Sequence, residues 1–163
     1  MNGESLEISL ANELREIAGA AARIDGFCAS HNVKHVAYAV NLAIDEVLTN
    51  TIEYGYEDDE QHRIELIVRV EEESLVVVIV DDSLPFDLGI APERDLDASL
   101  EDTPLGGLGL FLVHQMMDSV DYRREEGCNV VTLVKNTREA EPPPPDAEPA
   151  PGPGGLTDTD ERA

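Results

Sequence analysis

The fold is decided by VKHVAYAVNLAIDEVLTNTIEY (residues 33–54), RIELIVRV (63–70) and SLVVVIVD (74–81), three segments across which the hydrophobic period changes. The first predicts a helix from Val33 to Tyr54, because its apolar residues recur every three or four positions. The second alternates polar and apolar residues like a half-buried strand, and the third is a nearly continuous β-branched run. Only Glu71–Glu73 separate the two strands, so we expect an antiparallel hairpin. The buried helix face should contain Val36, Ala37, Val40, Ile44, Val47, Leu48 and Thr51.

The flanking sequence adds elements on both sides of this hairpin. A strand and a helix are predicted before it, and a long irregular segment at 82–105, a third helix and a second hairpin after it. Helices that interrupt an antiparallel sheet predict the α/β class, as a two-layer α/β sandwich whose sheet is mixed but mostly antiparallel, with helices on one face. The additional elements are Glu4–Leu10, Ala11–Ser30, Gly106 or Gly107 to Met117, Val120–Arg124 and Asn129–Lys135.

The charge of the chain excludes two classes of partner. The 163 residues contain 35 acids and 11 bases, giving a formal net charge of −24. Binding to nucleic acid or to anionic membranes needs clustered lysine and arginine, so we expect neither as a direct partner. Two interpretations of the acidity stay open. It favours encounter with a basic protein, or it serves only solubility.

Metal, export and membrane signals are missing from the sequence. Cys28 and Cys128 belong to no CxxC pair, and no HExxH motif or histidine-containing triad occurs, so no zinc site is predicted. The N-terminus lacks a basic segment followed by an apolar one, and no apolar run reaches about 18 residues. We therefore expect a cytoplasmic protein.

A change of composition near Asn136 predicts a domain boundary. Residues 137–163 contain seven of the ten prolines and seven acids, with Leu156 as the one large aliphatic residue. Such a segment cannot bury enough apolar surface to offset its conformational entropy. We predict a folded domain at 1–136 and a disordered Pro/acid-rich tail at 137–163. The run Pro142–Pro145 is either a docking ligand for another protein or part of an inert tail.

Glu46 and Asn50 lie one helical turn apart in the second predicted helix, so they share a face. A carboxylate and an amide oxygen suit a hydrated Mg²⁺ ion, and the carboxylate can instead accept a proton from a hydroxyl group or water. The spacing alone is weak, since ExxxN also occurs on many solvated helices.

Two further features could contribute to a ligand site. Asp81 ends a buried strand, where its carboxylate can meet a ligand at the rim of a cleft, and Phe86 follows as a candidate pocket wall. Gly106-Gly107-Leu108-Gly109-Leu110 lies where a loop enters a helix, and glycines there let backbone N–H groups approach a phosphate. The glycines could equally serve only the turn, and they match neither the GxxxxGK[ST] loop nor the dinucleotide fingerprint.

In this order, the three features resemble the ATP-binding fold shared by DNA gyrase, histidine kinases and mismatch-repair ATPases. The sequences of the individual segments give a more specific resemblance. They are similar to the anti-sigma factor serine kinases over nearly all of residues 4–136. The matching segments are LAIDEVLTNTIEYGY at 42–56, VDDSLPFDL at 80–88, GGLGLFLVHQMMDSVDYRREEG at 106–127 and NVVTLVKN at 129–136.

The resemblance implies a role for each matched position. Glu46 is the expected general base, and Asn50 is the expected Mg²⁺ ligand. Asp81 is expected to accept a hydrogen bond from the adenine amino group, with Thr132 in support through a water molecule. The other expected ATP-binding residues are Ser83, Phe86, Gly107, Leu108 and Gly109, beneath a mobile lid at 89–105.

The implied activity is ATP-dependent phosphorylation of a serine on an anti-sigma-factor antagonist, with a sigma factor as a second partner and a homodimer as the assembly. One position departs from the family pattern: Ser83 stands where Asp-x-Gly normally has glycine, which places kinase activity in question. The alternative is a binding module that regulates a sigma factor or antagonist without phosphoryl transfer. A generic ATP-sensing domain is a third hypothesis.

Overall fold

The computed structural model describes residues 3–88 and 107–139, which contain three helices and five strands. The element order predicted from the sequence is confirmed in this part of the chain, and every boundary except the start of the first helix agrees within one residue. The elements are β1 (Ser5–Ala11), α1 (Glu16–Ser30), α2 (Lys34–Tyr54), β2 (Arg63–Glu71), β3 (Ser74–Asp81), α3 (Gly107–Met116), β4 (Ser119–Glu125) and β5 (Cys128–Asn136).

The five strands form one sheet in the order β1-β2-β3-β5-β4, and all four pairs between these strands are antiparallel. The β4–β5 hairpin turns at Glu126 and Gly127, both with positive φ, and Gly127 adopts its φ of 83° without steric cost. In the β3–β5 pair, Asp81 lies opposite Asn129. The register therefore brings a carboxylate and an amide together at one end of the sheet.

One face of the sheet packs against the helices and forms an aliphatic core. Ile8, Leu66, Ile79 and Val131 make a cross-strand row on this face. Burying one such side chain contributes about 1.5–3 kcal/mol, and none of the buried core residues in the described ranges is aromatic. The two-layer sandwich with helices on one face is confirmed. The helical residues in the same core include Ala20, Ile24, Cys28, Val40, Val47, Leu48 and Val113.

The predicted start of the first helix at Ala11 is wrong, because Asn12 is held at the end of β1. Its backbone N–H donates to the His62 carbonyl over 3.2 Å, and its Oδ1 accepts from the His62 N–H over 2.8 Å. Its Nδ2 also donates to the Glu60 carbonyl over 3.3 Å. These bonds keep the chain out of the helical conformation until α1 begins at Glu16.

The chain just beyond the predicted domain boundary still contacts the sheet. The Thr137 N–H donates to the Glu73 carbonyl over 2.7 Å, and His35 Nε2 lies 2.8 Å from the Thr137 carbonyl. The predicted disordered tail otherwise falls at 140–163, outside the described residues. In the described ranges, no helix is both long enough and apolar enough to cross a membrane.

Candidate functional site

A cavity of about 200 Å³ opens between the C-terminal half of α2 and the end of β3. Its walls are mainly apolar with a few polar groups, which is the composition typical of a small-molecule site. The cavity joins α2, the residues that follow β3, and the start of β5. Its described lining residues are Val47, Asn50, Thr51, Tyr54, Gly55, Asp81, Ser83, Leu84, Pro85, Phe86, Leu88, Asn129 and Val131.

Asp81 lies at the base of this cavity and is only 3% exposed. Its Oδ1 accepts from the Ser83 N–H and from Asn129 Nδ2, each over 3.0 Å, and from the Ser83 hydroxyl group. Among the described residues, no donor reaches Oδ2. One carboxylate oxygen is therefore fixed by the protein, while the other remains available to accept a hydrogen bond from a ligand.

Ser83 fits its position because Gly55 faces it without a side chain. A Cβ at Gly55 would lie 2.7 Å from the Ser83 Cβ, and the Gly55 carbonyl accepts from the Leu84 N–H over 2.8 Å. Ser83 does not have a positive φ, so the backbone here does not require glycine. The departure from Asp-x-Gly leaves the cavity open and adds a hydroxyl donor to Asp81.

Glu46 and Asn50 meet α3 at Gly109. A Cβ at residue 109 would overlap the Glu46 Oε2 atom and would lie 3.8 Å from Asn50 Nδ2. Glycine therefore permits α2 and α3 to approach with the carboxylate between them. The structure brings together Glu46, Asn50 and Gly109, three of the expected site residues, and Gly107 is the first residue of α3.

Asn50 also provides a test of the predicted magnesium site. Its Nδ2 atom is buried and has no hydrogen-bond partner in the part of the chain described, although its side chain lines the cavity. Nδ2 is a donor and suits a phosphate oxygen, whereas Mg²⁺ takes oxygen ligands and retains several waters, so the Oδ1 atom of this amide would be its ligand. Within the same residues, no group of three or more His, Cys, Asp or Glu side chains could hold a metal ion. The donor set therefore fits an ion held mainly by phosphate oxygens and water.

The segment after β3 forms one wall of the cavity. Phe86 lines it as predicted and remains 51% exposed, whereas Leu88 is buried. His114 of α3 holds this segment, because its Nε2 lies 2.8 Å from the Leu88 carbonyl. The predicted lid at 89–105 and the Leu108 side chain lie outside the described residues.

Thr132 is not part of the site, so its predicted support of Asp81 is wrong. It pairs with Val78, three residues before Asp81, and alternation along β3 and β5 therefore places it on the opposite sheet face. Asn129, which pairs with Asp81, makes the supporting hydrogen bond directly. The sequence contained a signal for this assignment, since alternation from the apolar Val131 and Leu133 directs Thr132 outward.

A cluster of Tyr56, Asp58, His62 and Asp82, here called the His62 cluster, lies beside the Asp81 end. His62 Nε2 is 2.8 Å from Asp58 Oδ1, Nδ1 is 3.1 Å from Asp82 Oδ2, and the ring stacks on Tyr56 at 4.3 Å. Hydrogen bonds donated by the His62 ring to Asp58 and then to Asp82 raise the pKa of His62. The hydrogen bond from His62 lowers the pKa of Asp58, while burial and then nearby carboxylates raise the pKa of Tyr56.

Comparison with known families accounts for this geometry. The model of the histidine kinase-like ATPase domain matches residues 8–135. The chain belongs to this family. The match includes α2, the end of β3 and β5, which line the cavity, and α3, which meets Glu46 and Asn50 at Gly109. It confirms the resemblance to the ATP-binding fold that the sequence showed.

The relatives of this histidine kinase-like ATPase domain include serine kinases. Serine-protein kinase RsbW of Listeria monocytogenes is 30% identical over 107 residues, which cover 63% of this chain and 68% of the relative. Serine-protein kinase RsbW of Bacillus cereus is 27% identical over 104 residues, which cover 61% and 64%. The chain thus spans about two thirds of the length of these relatives.

A solved structure of the RsbU and RsbW domains of a Mycobacterium tuberculosis protein is similar to the same ATPase domain. It matches with a TM-score of 0.56 and 16% identity, over 84% of this chain and 34% of that chain. At this identity the match supports the fold alone.

Several residues of the cavity were not expected from the sequence. Thr51, Tyr54 and Gly55 line it from the end of α2, and Asn129 from the start of β5. The periodicity places Thr51 on the buried helix face, and the approach of Ser83 to Gly55 cannot be read from either segment alone. Asn129 resembled an ordinary polar residue beginning a strand.

Proposed function

We propose that this domain binds ATP with Mg²⁺ and transfers the γ-phosphoryl group to a serine of an anti-sigma-factor antagonist protein. The observation that carries the proposal is a single cavity region with two chemically different ends. Asp81 lines one end, where no donor among the described residues reaches its Oδ2, and Asn50 lines the other, where Glu46 and Gly109 lie beside the cavity. The first end suits the amino group of adenine, and the second suits phosphate and its metal ion.

Each side chain has a role that its surroundings support. Asp81 would accept a hydrogen bond from the adenine amino group, and Asn50 would bind Mg²⁺ near the phosphates. Glu46 would accept the proton of the attacking serine hydroxyl group. Bound Mg²⁺ supplies charge neutralisation in phosphoryl transfer, where positioning otherwise does most of the catalysis. This contribution matters because the cavity lining contains no lysine or arginine among the described residues.

The relatives support the finer part of the proposal. Both are named serine-protein kinases, and their matches cover about two thirds of their length. The resemblance of the sequence to the anti-sigma factor serine kinases adds the rest of the proposal: an antagonist protein as phosphate acceptor, a sigma factor as a second partner, and a cytoplasmic homodimer as the active form. The acidic charge of −24 is compatible with a basic partner surface.

Nucleotide binding is the first test. We expect millimolar ATP with Mg²⁺ to raise the melting temperature by several degrees, because a ligand at about 100 times its Kd stabilises the native state by about 2.7 kcal/mol. Asp81→Asn should reduce the shift strongly, whereas Asp121→Asn, at an exposed position on β4 outside the cavity, should retain it. If ATP produced no shift in the unaltered protein, the kinase proposal would fail and the binding-module alternative would stand.

Phosphoryl transfer is the second test. Glu46→Gln should retain the ATP-dependent shift and lower transfer of labelled phosphate to a purified antagonist protein at least roughly a hundredfold, as for loss of a general base. Glu53→Gln, an exposed change on the same helix, should transfer at the normal rate. Normal transfer by Glu46→Gln would exclude Glu46 as the base.

A further inference from the structure

A chain of hydrogen bonds runs from β4 through Asn129 to Asp81. Asn129 Oδ1 accepts from the Tyr122 hydroxyl group and from Arg124 Nη1, each over 2.8 Å. The same Arg124 nitrogen donates to the Ser83 carbonyl over 2.7 Å. Arg124 and Asn129 are direct cross-strand partners, so the sheet register sets their contact.

The two donors from β4 fix the orientation of the Asn129 amide. An amide has one accepting end and one donating end, and a flip exchanges them. With Oδ1 held by Tyr122 and Arg124, the Nδ2 end must face Asp81 Oδ1, 3.0 Å away. In the flipped orientation, the amide oxygen would face the carboxylate of Asp81, and two acceptors would repel each other.

The donating end of the amide also holds the wall of the cavity. Asn129 Nδ2 lies 3.0 Å from the Ser83 hydroxyl oxygen and 3.0 Å from the Leu84 carbonyl. Asn129 is only 4% exposed, so water cannot readily replace these partners. The amide orientation is thereby linked both to the carboxylate of Asp81 and to the backbone that lines the cavity.

We propose that Tyr122 and Arg124 are positioning residues for base selection, which act through Asn129 to keep Asp81 Oδ1 occupied and Oδ2 free as an acceptor. This rests on the proposed nucleotide site. A fixed, buried acceptor favours a purine with an exocyclic amino group and rejects one with a carbonyl there, because the second pairing leaves two acceptors unsatisfied. A loosened carboxylate can rotate or recruit water and loses this preference.

Either donor alone should hold the amide, so the effects should not be additive. Arg124→Met or Tyr122→Phe should each lower the preference for ADP over IDP, the inosine nucleotide, by roughly two- to threefold. The double variant should lower it by roughly tenfold or more, because nothing then opposes the flip. Arg124→Lys keeps a cationic donor and should restore most of the preference.

The test measures the Kd of ADP and of IDP by titration calorimetry for the complete chain and each variant, with Mg²⁺ present. Arg123→Met is the matched control: it removes the same charge from the neighbouring residue, whose guanidinium pairs with Glu125 at 3.2 Å. Weaker binding of both nucleotides in equal proportion would indicate a merely structural role and overturn the proposal. An unchanged ratio in the double variant would overturn it as well.

The same titrations distinguish failure of the proposed function from failure of this inference. If the unaltered protein bound neither ADP nor IDP, the nucleotide site itself would be refuted. Arg124 is exposed, so its single variants should fold, and thermal melting checks this directly. If the double variant proved unfolded, the ratios for Arg124→Met and Tyr122→Phe would decide the inference by themselves.

Discussion

At Gly109, the missing side chain determines where the Glu46 carboxylate can lie. In Gly109→Ala the new methyl group would overlap Oε2, and the flexible glutamate would turn away at small cost in stability. We expect roughly a tenfold or greater loss of phosphoryl transfer, because catalysis is sensitive to displacements of about 1 Å. Transfer assays and thermal melting on one preparation separate the two effects. Normal transfer would show that Glu46 need not lie against α3.

The His62 cluster makes the stability of the fold depend on pH. A neutral imidazole has one N–H, whereas both ring nitrogens of His62 face carboxylates, so the protonated form is favoured. The other groups nearby are Tyr56, stacked on the ring, and Arg63, whose guanidinium donates to Ser9. Because the pKa of His62 is raised in the folded state, its protonation stabilises the fold at pH values below the ordinary pKa of 6.5. This stabilisation is lost as pH rises through the raised pKa.

The lowered pKa of Asp58 acts at the other end of the pH range. Ionised Asp58 stabilises the fold at pH values above its ordinary pKa of 3.8, and this stabilisation is lost as pH falls through the lowered pKa. The cluster should therefore stabilise most between about pH 4 and 6.5. Urea unfolding of His62→Asn should show a larger deficit at pH 6 than at pH 9. His35→Asn, whose ring contacts the Thr137 carbonyl, is the control, and a pH-independent deficit for His62→Asn would contradict this account.

The site residues that could be predicted are those whose role can be inferred from the sequence segment around them. Glu46 and Asn50 share a helix face by spacing, and Asp81 ends an apolar strand, so each is visible in its own segment. Asn129 was missed because its partner is 48 residues away, and only the β3–β5 register brings them together. The support of Asp81 by Thr132, which the resemblance implied, is wrong because strand alternation places Thr132 on the opposite sheet face.

Two glycines show how differently an added methyl group acts on the helices. Gly26 in α1 has nothing within 4 Å of an added Cβ, whereas at Gly55 that Cβ would lie 2.5 Å from the Thr51 carbonyl oxygen. Gly26→Ala should stabilise the protein by about 0.5–1 kcal/mol through helix propensity. Gly55→Ala should destabilise it by about 1–3 kcal/mol through overpacking. Urea unfolding measures the change in unfolding free energy for both variants. Changes of the same sign would contradict the close packing around Ser83.

The central strands of the sheet were predicted most accurately because their residue pattern is regular. Alternation in 63–70 and β-branched residues in 74–81 predicted the central hairpin within one residue. The start of α1 was misplaced because the bonds from Asn12 to Glu60 and His62 cross about fifty positions of sequence. Periodicity predicts which face of an element is buried, but it contains no information about such long-range partners.

For the whole molecule, the predicted boundary between domain and tail is open to a direct test. Removal of residues 140–163 should leave the melting temperature and the ATP-dependent shift unchanged, since this segment is poor in residues that form a core. Removal of 137–163 should cost slightly more, because it also deletes the contacts of Thr137 and the Arg138–Glu73 ion pair. A large loss after the shorter truncation would show that the tail takes part in the fold or the site.

The contact between Thr137 and Glu73 also fixes where the C-terminal segment departs. Ser74 pairs with Asn136 at one end of β3, and Asp81 lies at the other, seven residues along, or roughly 24 Å at 3.4 Å per residue. An affinity tag or sensor-chip linkage placed after Glu139 would thus be anchored near the opposite end of β3 from Asp81 and the cavity. Protein immobilised in this way should leave the cavity mouth facing solution, where nucleotide and partner can enter freely.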